Sequence, residues 1–471
     1  MSVLESLSPS RVFYYFEQIC AIPHPSGMTA GVRDYCASVA ERLSLPCCAD
    51  DGGNLVIYKP ASRGYEGHPT VILQGHLDMV CEAVEGCKIN FTKEGVVPTV
   101  TGDTIHARGT TLGADNGIAV AMALAILEDT SLSHPPIEVL LTADEEIGLR
   151  GAGALDASLL SGRMLINLDS EDEGIFTVSC AGGVRADMHL PTVREGAVGY
   201  LSSIRLSGYC GGHSGIEINN GHRNAILDLL SLLSGIPALR IVSLSGGGKD
   251  NAIPRAAEAL VLTEAPIDEA ALSAALSAFL AEETNAELSI SATGYTDAEV
   301  LTESLTQNLL AFAKELPNGV LRMSEDIEGL VETSLNLGIL ATDEDSISFS
   351  SALRSSKNQA RTELSDRLSA LCRAFGGSYS THGAYPAWEY RKDSPLRDTA
   401  TAVFTKMYGH APIIEAIHAG LECGLLSDKL PGLDSISIGP ELHKVHTPEE
   451  SLSISSVERT YAFVCKILEE L

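Results

Sequence analysis

Thr70-Val71-Ile72-Leu73-Gln74-Gly75-His76-Leu77-Asp78 is the stretch on which the reading of the fold turns. Its apolar half is short and bounded by a glycine, the mark of a buried strand rather than a surface helix. Two more runs have the same texture, Ile137-Glu138-Val139-Leu140-Leu141 and Met164-Leu165-Ile166-Asn167-Leu168, and Ser435 to Ile438 reads as a later strand. Ile118 to Leu127 is apolar nearly all round, which suits a helix buried against a sheet. Apolar strands separated by helices predict an α/β fold with a doubly wound sheet.

The residues of chemical interest stand just beyond the strands. Strand 71–74 runs into His76 and Asp78, strand 137–141 into Asp144, Glu145 and Glu146, and strand 164–168 into Asp169, Glu171 and Asp172. The last strand leads to His443 and His446, and Asp115 stands just before the helix that begins near Gly117. In a doubly wound sheet the ligand crevice lies outside the carboxyl ends of the strands, so these clusters can converge. A single acid there is most often a helix cap or a solvated charge, and a single histidine a satisfied or surface residue. Their shared placement at one sheet end is what points to a metal site.

His76 and Asp78 are two apart on extended chain and share a face, so Asp78 can orient a ligating imidazole directly or hold it indirectly. Glu145 and Glu146 are adjacent and point differently, so one can bind metal while the other serves as a general base. A mixed histidine and carboxylate set suits zinc, manganese or cobalt. Two metals about 3.5–4 Å apart need a bridging carboxylate and turn a shared water into hydroxide near neutral pH.

The 471 residues correspond to about three domains, or to one large α/β unit with an insertion. Hydrophobic residues make up 45% and charged residues 20%, enough for a sizeable core. The formal net charge is −30, the wrong sign for nucleic acid or an anionic membrane. Eleven scattered cysteines without a Cys-x-x-Cys fit a reducing cytosol. Met1 to Gln18 has no basic segment leading into an apolar one, and the longest apolar run, Ile118 to Leu127, is too short to span a bilayer. A soluble, cytoplasmic protein is the expectation.

Ser8 reads as a helix N-cap and Pro9 as the first helical residue, with Val12, Phe16, Ile19 and Cys20 on one face, and Thr29 to Leu43 reads as a second helix. After Gly182-Gly183 the texture changes to strands such as Leu201–Leu206 and Ser346–Leu353, interleaved with helices at Arg223–Leu233 and Asn358–Phe375. Stretches 200–265 and 333–392 share an element order without a sequence repeat. The expected organisation is one α/β domain in two parts, 1–183 and 396–471, interrupted by an inserted α+β domain, 184–395.

Five segments in order resemble the co-catalytic metallopeptidase family that holds carnosinase, aminoacylase and bacterial dipeptidases. They are Gly75-His76-Leu77-Asp78, Gly113-Ala114-Asp115-Asn116-Gly117, Thr142-Ala143-Asp144-Glu145-Glu146-Ile147-Gly148, Asn167-Leu168-Asp169-Ser170-Glu171 and His446-Thr447-Pro448-Glu449-Glu450. The resemblance covers nearly the whole chain. It implies a peptide hydrolase with two divalent ions, zinc first, with cobalt and manganese also suited. It implies that His76, Asp115 and Asp169 serve one ion and that Asp115, Glu146 and His446 serve the other. Glu145 would be the general base on a metal-bridging hydroxide, and Asp78 the support of His76. His443 competes for the last position, and the Thr-Pro-Glu-Glu after His446 favours His446.

The resemblance makes 1–183 and 396–471 the catalytic domain and the inserted α+β domain, 184–395, the family's lid, in which Gly212-His213-Ser214-Gly215 matches the family motif whose histidine stabilises the oxyanion. Asn251 offers an amide to the substrate, and Arg354 a bidentate partner for a dipeptide's C-terminal carboxylate. The implied substrates are small peptides, dipeptides including aminoacyl-histidine types. N-acyl amino acid deacylation or aminotripeptide cleavage on the same ions is the alternative, and a non-catalytic binding protein is a third reading. A homodimer stays open. His106, His222, His382, His418 and the cysteines receive no assigned role; the stretch from His418 to Gly424 resembles a motif of bacterial dipeptidases, which implies that His418 and Glu422 line the pocket, while as plain sequence they read as a glycine-rich turn and a structural acid.

Overall fold

The apolar run that opens the first strand is wholly buried at Val71, Ile72 and Leu73, and the strand continues through the polar cluster to His76. In this computed structural model, which describes residues 3–277 and 283–471, four strands lie side by side and parallel. Their order is Ile137–Thr142, Val71–His76, Met164–Asn167 and Asp434–Ser437. Register pairs His76 with Thr142, Gln74 with Asn167, and Ser437 with Asn167. The carboxyl ends of the four strands therefore come level and make one rim. Flanking strands Leu55–Lys59, Cys47–Ala49 and Ile175–Cys180 run antiparallel, so the doubly wound sheet is parallel only at its centre.

The Ala114–Glu128 helix packs on the strand that ends at His76, and every residue from Asn116 to Leu127 is buried. Close approach depends on Gly75, where a Cβ would meet Asn116 Oδ1 at 2.5 Å and Ala119 Cβ at 2.9 Å. Asp115 and Asn116 have non-helical backbone angles, so regular helix begins at Gly117. The first helix spans Ser10–Cys20, with Pro9 rather than Ser8 in the capping position. The Ser8 hydroxyl donates instead to Glu458 at 3.2 Å.

The chain divides into two compact units. One comprises Met1–Ser179, Tyr390–Ala416 and Leu421–Leu471, and the other Cys180–Glu389 and Ile417–Gly420. The second unit is a nine-stranded sheet whose strands Val331–Thr342, Ser346–Ser355, Gly182–Pro191 and Ser378–Tyr385 are neighbours in that order. One face of these strands presents Leu335, Leu337, Phe349 and Leu353 to a core completed by Leu229, Leu233, Phe312 and Leu368 from helices, an α+β arrangement. The alternate residues, among them Ser334, Asn336 and Arg354, belong to the other face. No helix among the described residues is long and apolar enough to cross a membrane.

Because Ile166 is fully buried in a central strand, Ile166→Ala is expected to cost about 2–5 kcal/mol. Val198→Ala, at a position 62% exposed, is expected to stay within about 0.5 kcal/mol of wild type. Thermal unfolding of both variants beside wild type checks the contrast.

Candidate metal centre

His76 ends its strand with the ring fully buried. Its Nε2 lies 3.0 Å from Asp115 Oδ1 and 3.6 Å from Asp169 Oδ1. Its Nδ1 is 3.0 Å from the main-chain carbonyl of Asp78 and 3.5 Å from that residue's carboxylate. The other oxygen of Asp115 faces a different imidazole, with Oδ2 3.0 Å from His446 Nε2, and Glu146 Oε1 is 2.9 Å from the same nitrogen. One carboxylate thus spans two histidines that are 370 residues apart in the chain, 446 − 76. Ligand atoms of His76, Asp115 and Glu146 all lie within 4.8 Å of one another, a set able to hold a metal ion. His443 is exposed on the neighbouring short strand.

The backbone is shaped to present these groups. Glu450 accepts hydrogen bonds from the amides of Leu112, Gly113, Ala114 and Asp115, at 2.7, 3.1, 2.8 and 3.3 Å, and so fixes the turn that carries Asp115. Asn116 accepts from the His76 amide at 3.1 Å and donates to the Leu168 carbonyl at 2.9 Å, tying together two strand ends. The Asp78 carboxylate accepts from the amides of Glu145 (2.9 Å) and Glu146 (3.2 Å) and from the Ser26 hydroxyl (2.8 Å). Asp144, at φ +53°, reverses the chain just ahead of those two glutamates. His446 also adopts left-handed angles, φ +61°, a cost of about 1–3 kcal/mol that surrounding structure must hold.

The electrostatics arise from this crowding. Burial alone depresses His76, but Asp169, Asp115 and Asp78 outweigh it and hold the imidazole well above its ordinary range. Hydrogen bonds to Asp115 and Glu146 push His446 up to about 10. Burial opposes ionisation of Asp115, yet bonds from His446 and His76 keep its pKa low. Burial, with Asp115 and Glu145 nearby, drives Asp169 well above the usual carboxylate range against the pull of His76. Two imidazoles and a crowd of acids share one small volume, where divalent cations would relieve the acids, and this is the fit expected of a metal centre.

Glu145 makes no side-chain hydrogen bond among the described residues and lines the same cavity of about 170 Å³. Burial, then Glu422, Glu146 and Asp115 working against His76, push it up to about 8. A carboxyl tuned toward neutral pH beside a cluster of ligands is able to exchange protons with water. Beneath the rim, Glu422 accepts from Gln74 Nε2 (2.6 Å) and Thr142 Oγ1 (2.7 Å).

The second unit holds the remaining sequence candidates. His213 Nδ1 accepts from the amides of Gly215 and Ile216 at 3.2 and 3.3 Å. That fixes the tautomer with hydrogen on Nε2. Burial, then Arg354, lowers its pKa, so the ring is neutral near pH 7. Asn251 and His213 line one cleft of about 690 Å³. Arg354 is 4% exposed, donates from Nη1 to the Tyr385 hydroxyl at 2.9 Å, and has no partner at Nε among the described residues. His418, bonded through Nε2 to Ser334 Oγ at 2.7 Å, is pushed down to about 3 by burial and by Arg354.

Sequence alone singles out neither Asn116, Glu450 nor Tyr385, and it leaves Glu422 between a pocket-lining residue and a structural acid. Asn116 and Glu450 do lie inside recurring motifs, but nothing local marks them as supports, because their partners are distant in the chain.

The profile of Peptidase family M20/M25/M40 matches residues 72–470. The chain is 36% identical to the cytosol non-specific dipeptidase of Escherichia coli (strain K12) over 483 aligned residues, covering 100% of this chain and 99% of that protein. It superposes with a TM-score of 0.94 on the crystal structure of aminoacylhistidine dipeptidase from Vibrio alginolyticus, at 36% identity and covering 99% of this chain and 97% of that one. Aminopeptidase PepT from Bacillus cereus shares the fold at 16% identity, a TM-score of 0.58, and 98% and 99% coverage.

Asp78→Asn replaces an acceptor of two backbone amides with a group that accepts through one oxygen only. The expected outcome is metal affinity lower by about 10–100-fold, measured by calorimetric titration of metal-stripped protein.

Proposed function

The chain belongs to peptidase family M20/M25/M40, and from that membership we propose that it is a dimetal dipeptidase. The observation that supports two ions is Asp115, whose separate oxygens face His76 and His446. His76, Asp115 and Asp169 would hold one ion, and Asp115, Glu146 and His446 the other. Zinc suits these donors best, and cobalt or manganese also suit them. When bound, such a pair polarises a peptide carbonyl and acidifies water.

The chain's own residues do the rest. Glu145, whose carboxyl makes no hydrogen bond among the described residues, takes the proton of the attacking water and delivers it to the departing amine nitrogen. Asp78 holds the turn that presents Glu145 and Glu146 and borders the ring of His76. His213 Nε2–H donates to the oxygen on which charge develops. Asn251 contributes an amide to the substrate, and Arg354 receives the C-terminal carboxylate.

Residues 1–183 and 396–471 act as the catalytic domain and 184–395 as the lid that recognises substrate. Dipeptides, aminoacyl-histidine types included, are the substrates, in keeping with the names of the two relatives at 36% identity. A cytosolic location accords with the name of the Escherichia coli relative and with cysteines that form no disulfide among the described residues.

Glu145→Gln is expected to keep both metals by elemental analysis and to lose about 10²–10⁴-fold in kcat. Turnover equal to wild type overturns the assignment. Chelation is expected to abolish hydrolysis of dipeptides, and zinc, cobalt or manganese to restore it. Faster cleavage of N-acetyl amino acids or tripeptides than of dipeptides would instead favour a deacylase or an aminotripeptidase.

A further inference from the structure

Arg354 presents an imbalance of charge. A guanidinium this buried is ordinarily paired with an acid, yet Arg354 has no carboxylate partner among the described residues. Its one side-chain hydrogen bond there runs from Nη1 to the neutral Tyr385 hydroxyl, at 2.9 Å, and its buried Nε has no partner. Elsewhere in this chain the Nε–Nη2 edge of arginine grips a carboxylate. Arg223 does so with Asp228 at 2.8 and 2.6 Å, and Arg459 with Glu173 at 2.7 and 2.5 Å. At Arg354 that edge carries no hydrogen bond among the described residues, while Tyr385 occupies the opposite nitrogen.

The register explains how Tyr385 reaches it. Ser334, Arg354, Gly183 and Tyr385 form one row across four adjacent strands, each the partner of the next. Tyr385 and Arg354 are separated by the strand that contributes Gly183, and the tyrosine ring crosses over that glycine. A Cβ at Gly183 would meet the Tyr385 hydroxyl oxygen at 2.5 Å and ring carbon Cζ at 2.6 Å. On another side, a Cβ at Gly420 would meet ring carbon Cε2 at 2.7 Å. Two missing side chains make a slot for one ring. Across the row, Ser334 is engaged by His418 at 2.7 Å.

We propose that Tyr385 is a positioning residue: seated over Gly183 and against Gly420, it holds Nη1 of Arg354 so that the Nε–Nη2 edge stays open for the α-carboxylate of a peptide substrate. This rests on the reading of Arg354 as the carboxylate partner and adds the residue that orients it. A neutral phenol suits the task, because an acid in its place would pair with the guanidinium and compete with the substrate.

The test uses metal-loaded enzyme with Ala-His and with Ala-His amide, which lacks the terminal carboxylate. Tyr385→Phe keeps the ring in its slot and removes the acceptor. It is expected to raise KM for Ala-His by about 3–10-fold with kcat within about twofold, and to leave KM for the amide unchanged. Arg354→Gln is expected to raise KM for Ala-His further. Adding Tyr385→Phe to Arg354→Gln is expected to change nothing more, because the tyrosine acts through the arginine. Gly183→Ala, which displaces the ring, is expected to reproduce the KM effect with the phenol still present.

Several outcomes overturn the proposal: an unchanged KM in Tyr385→Phe, an equal rise for the acid and the amide, or additive effects in the double variant. If wild-type enzyme fails to hydrolyse Ala-His at all, the dipeptidase reading fails first. If wild type cleaves it and Arg354→Gln leaves the acid-to-amide preference intact, the role of Arg354 fails. Tyr385→Phe is expected to melt within a few degrees of wild type, and a collapse in melting temperature with unchanged KM would assign Tyr385 a purely structural role.

Discussion

Four successive backbone amides, those of Leu112 to Asp115, converge on the single carboxylate of Glu450. Most of the centre depends on this grip. A turn of four donors left without acceptors inside the protein would be costly. An acid buried there without donors would be equally costly. Each satisfies the other, and the result is a rigid platform from which Asp115 projects between two imidazoles. Asn116 extends the platform by stitching the ends of two parallel strands together. Apart from His76, which ends a strand, the acids and histidine gathered here stand on connections, yet these side-chain bridges make the connections as well defined as the sheet.

The same region gathers more negative charge than a protein interior holds unaided. Asp115, Glu145, Glu146, Asp169 and Glu171 all line one small cavity. Glu171 is pushed up to about 7, by burial first and then by Asp115. Groups that crowd one another in this way cannot all ionise without cations. The raised pKa values of the neighbouring His76 and His446 reflect part of that need. Divalent ions meet it more fully, which is why the site reads as a place built for them rather than as an ion-pair network.

The second unit handles charge in the opposite sense. Its sheet leaves a guanidinium buried beside a phenol, two neutral imidazoles and small side chains. Strand register sets the row from Ser334 to Tyr385, and an irregularity between His382 and Tyr385 brings the tyrosine opposite Gly183. Glycine has a specific meaning there. At Gly183 and Gly420 the missing Cβ atoms are the space that an aromatic ring fills.

Much of this was legible in the chain. The buried strands at 71–76, 137–142 and 164–167 show in short apolar runs. The helix after Asp115 shows in an apolar run too long for a strand, and the clustering of acids and histidines at strand ends accords with the rule that places ligands there. The antiparallel flanks of the sheet were not legible, since an edge strand of a mixed sheet differs little in pattern from a parallel one. Ser8 was misread as a cap because a serine before a proline carries the same local signal whether or not its hydroxyl reaches the helix. Glu450, Asn116 and Glu422 carried no local signal for their roles, because the donors and acceptors they serve lie 40 to 348 residues away. The sequence by itself determined which residue types stand at the strand ends, and with them the class of chemistry and the family. Only the tertiary structure decided which oxygen of Asp115 faces which histidine and which edge of Arg354 stays open, because such orientations are set by contacts between segments that local pattern does not encode.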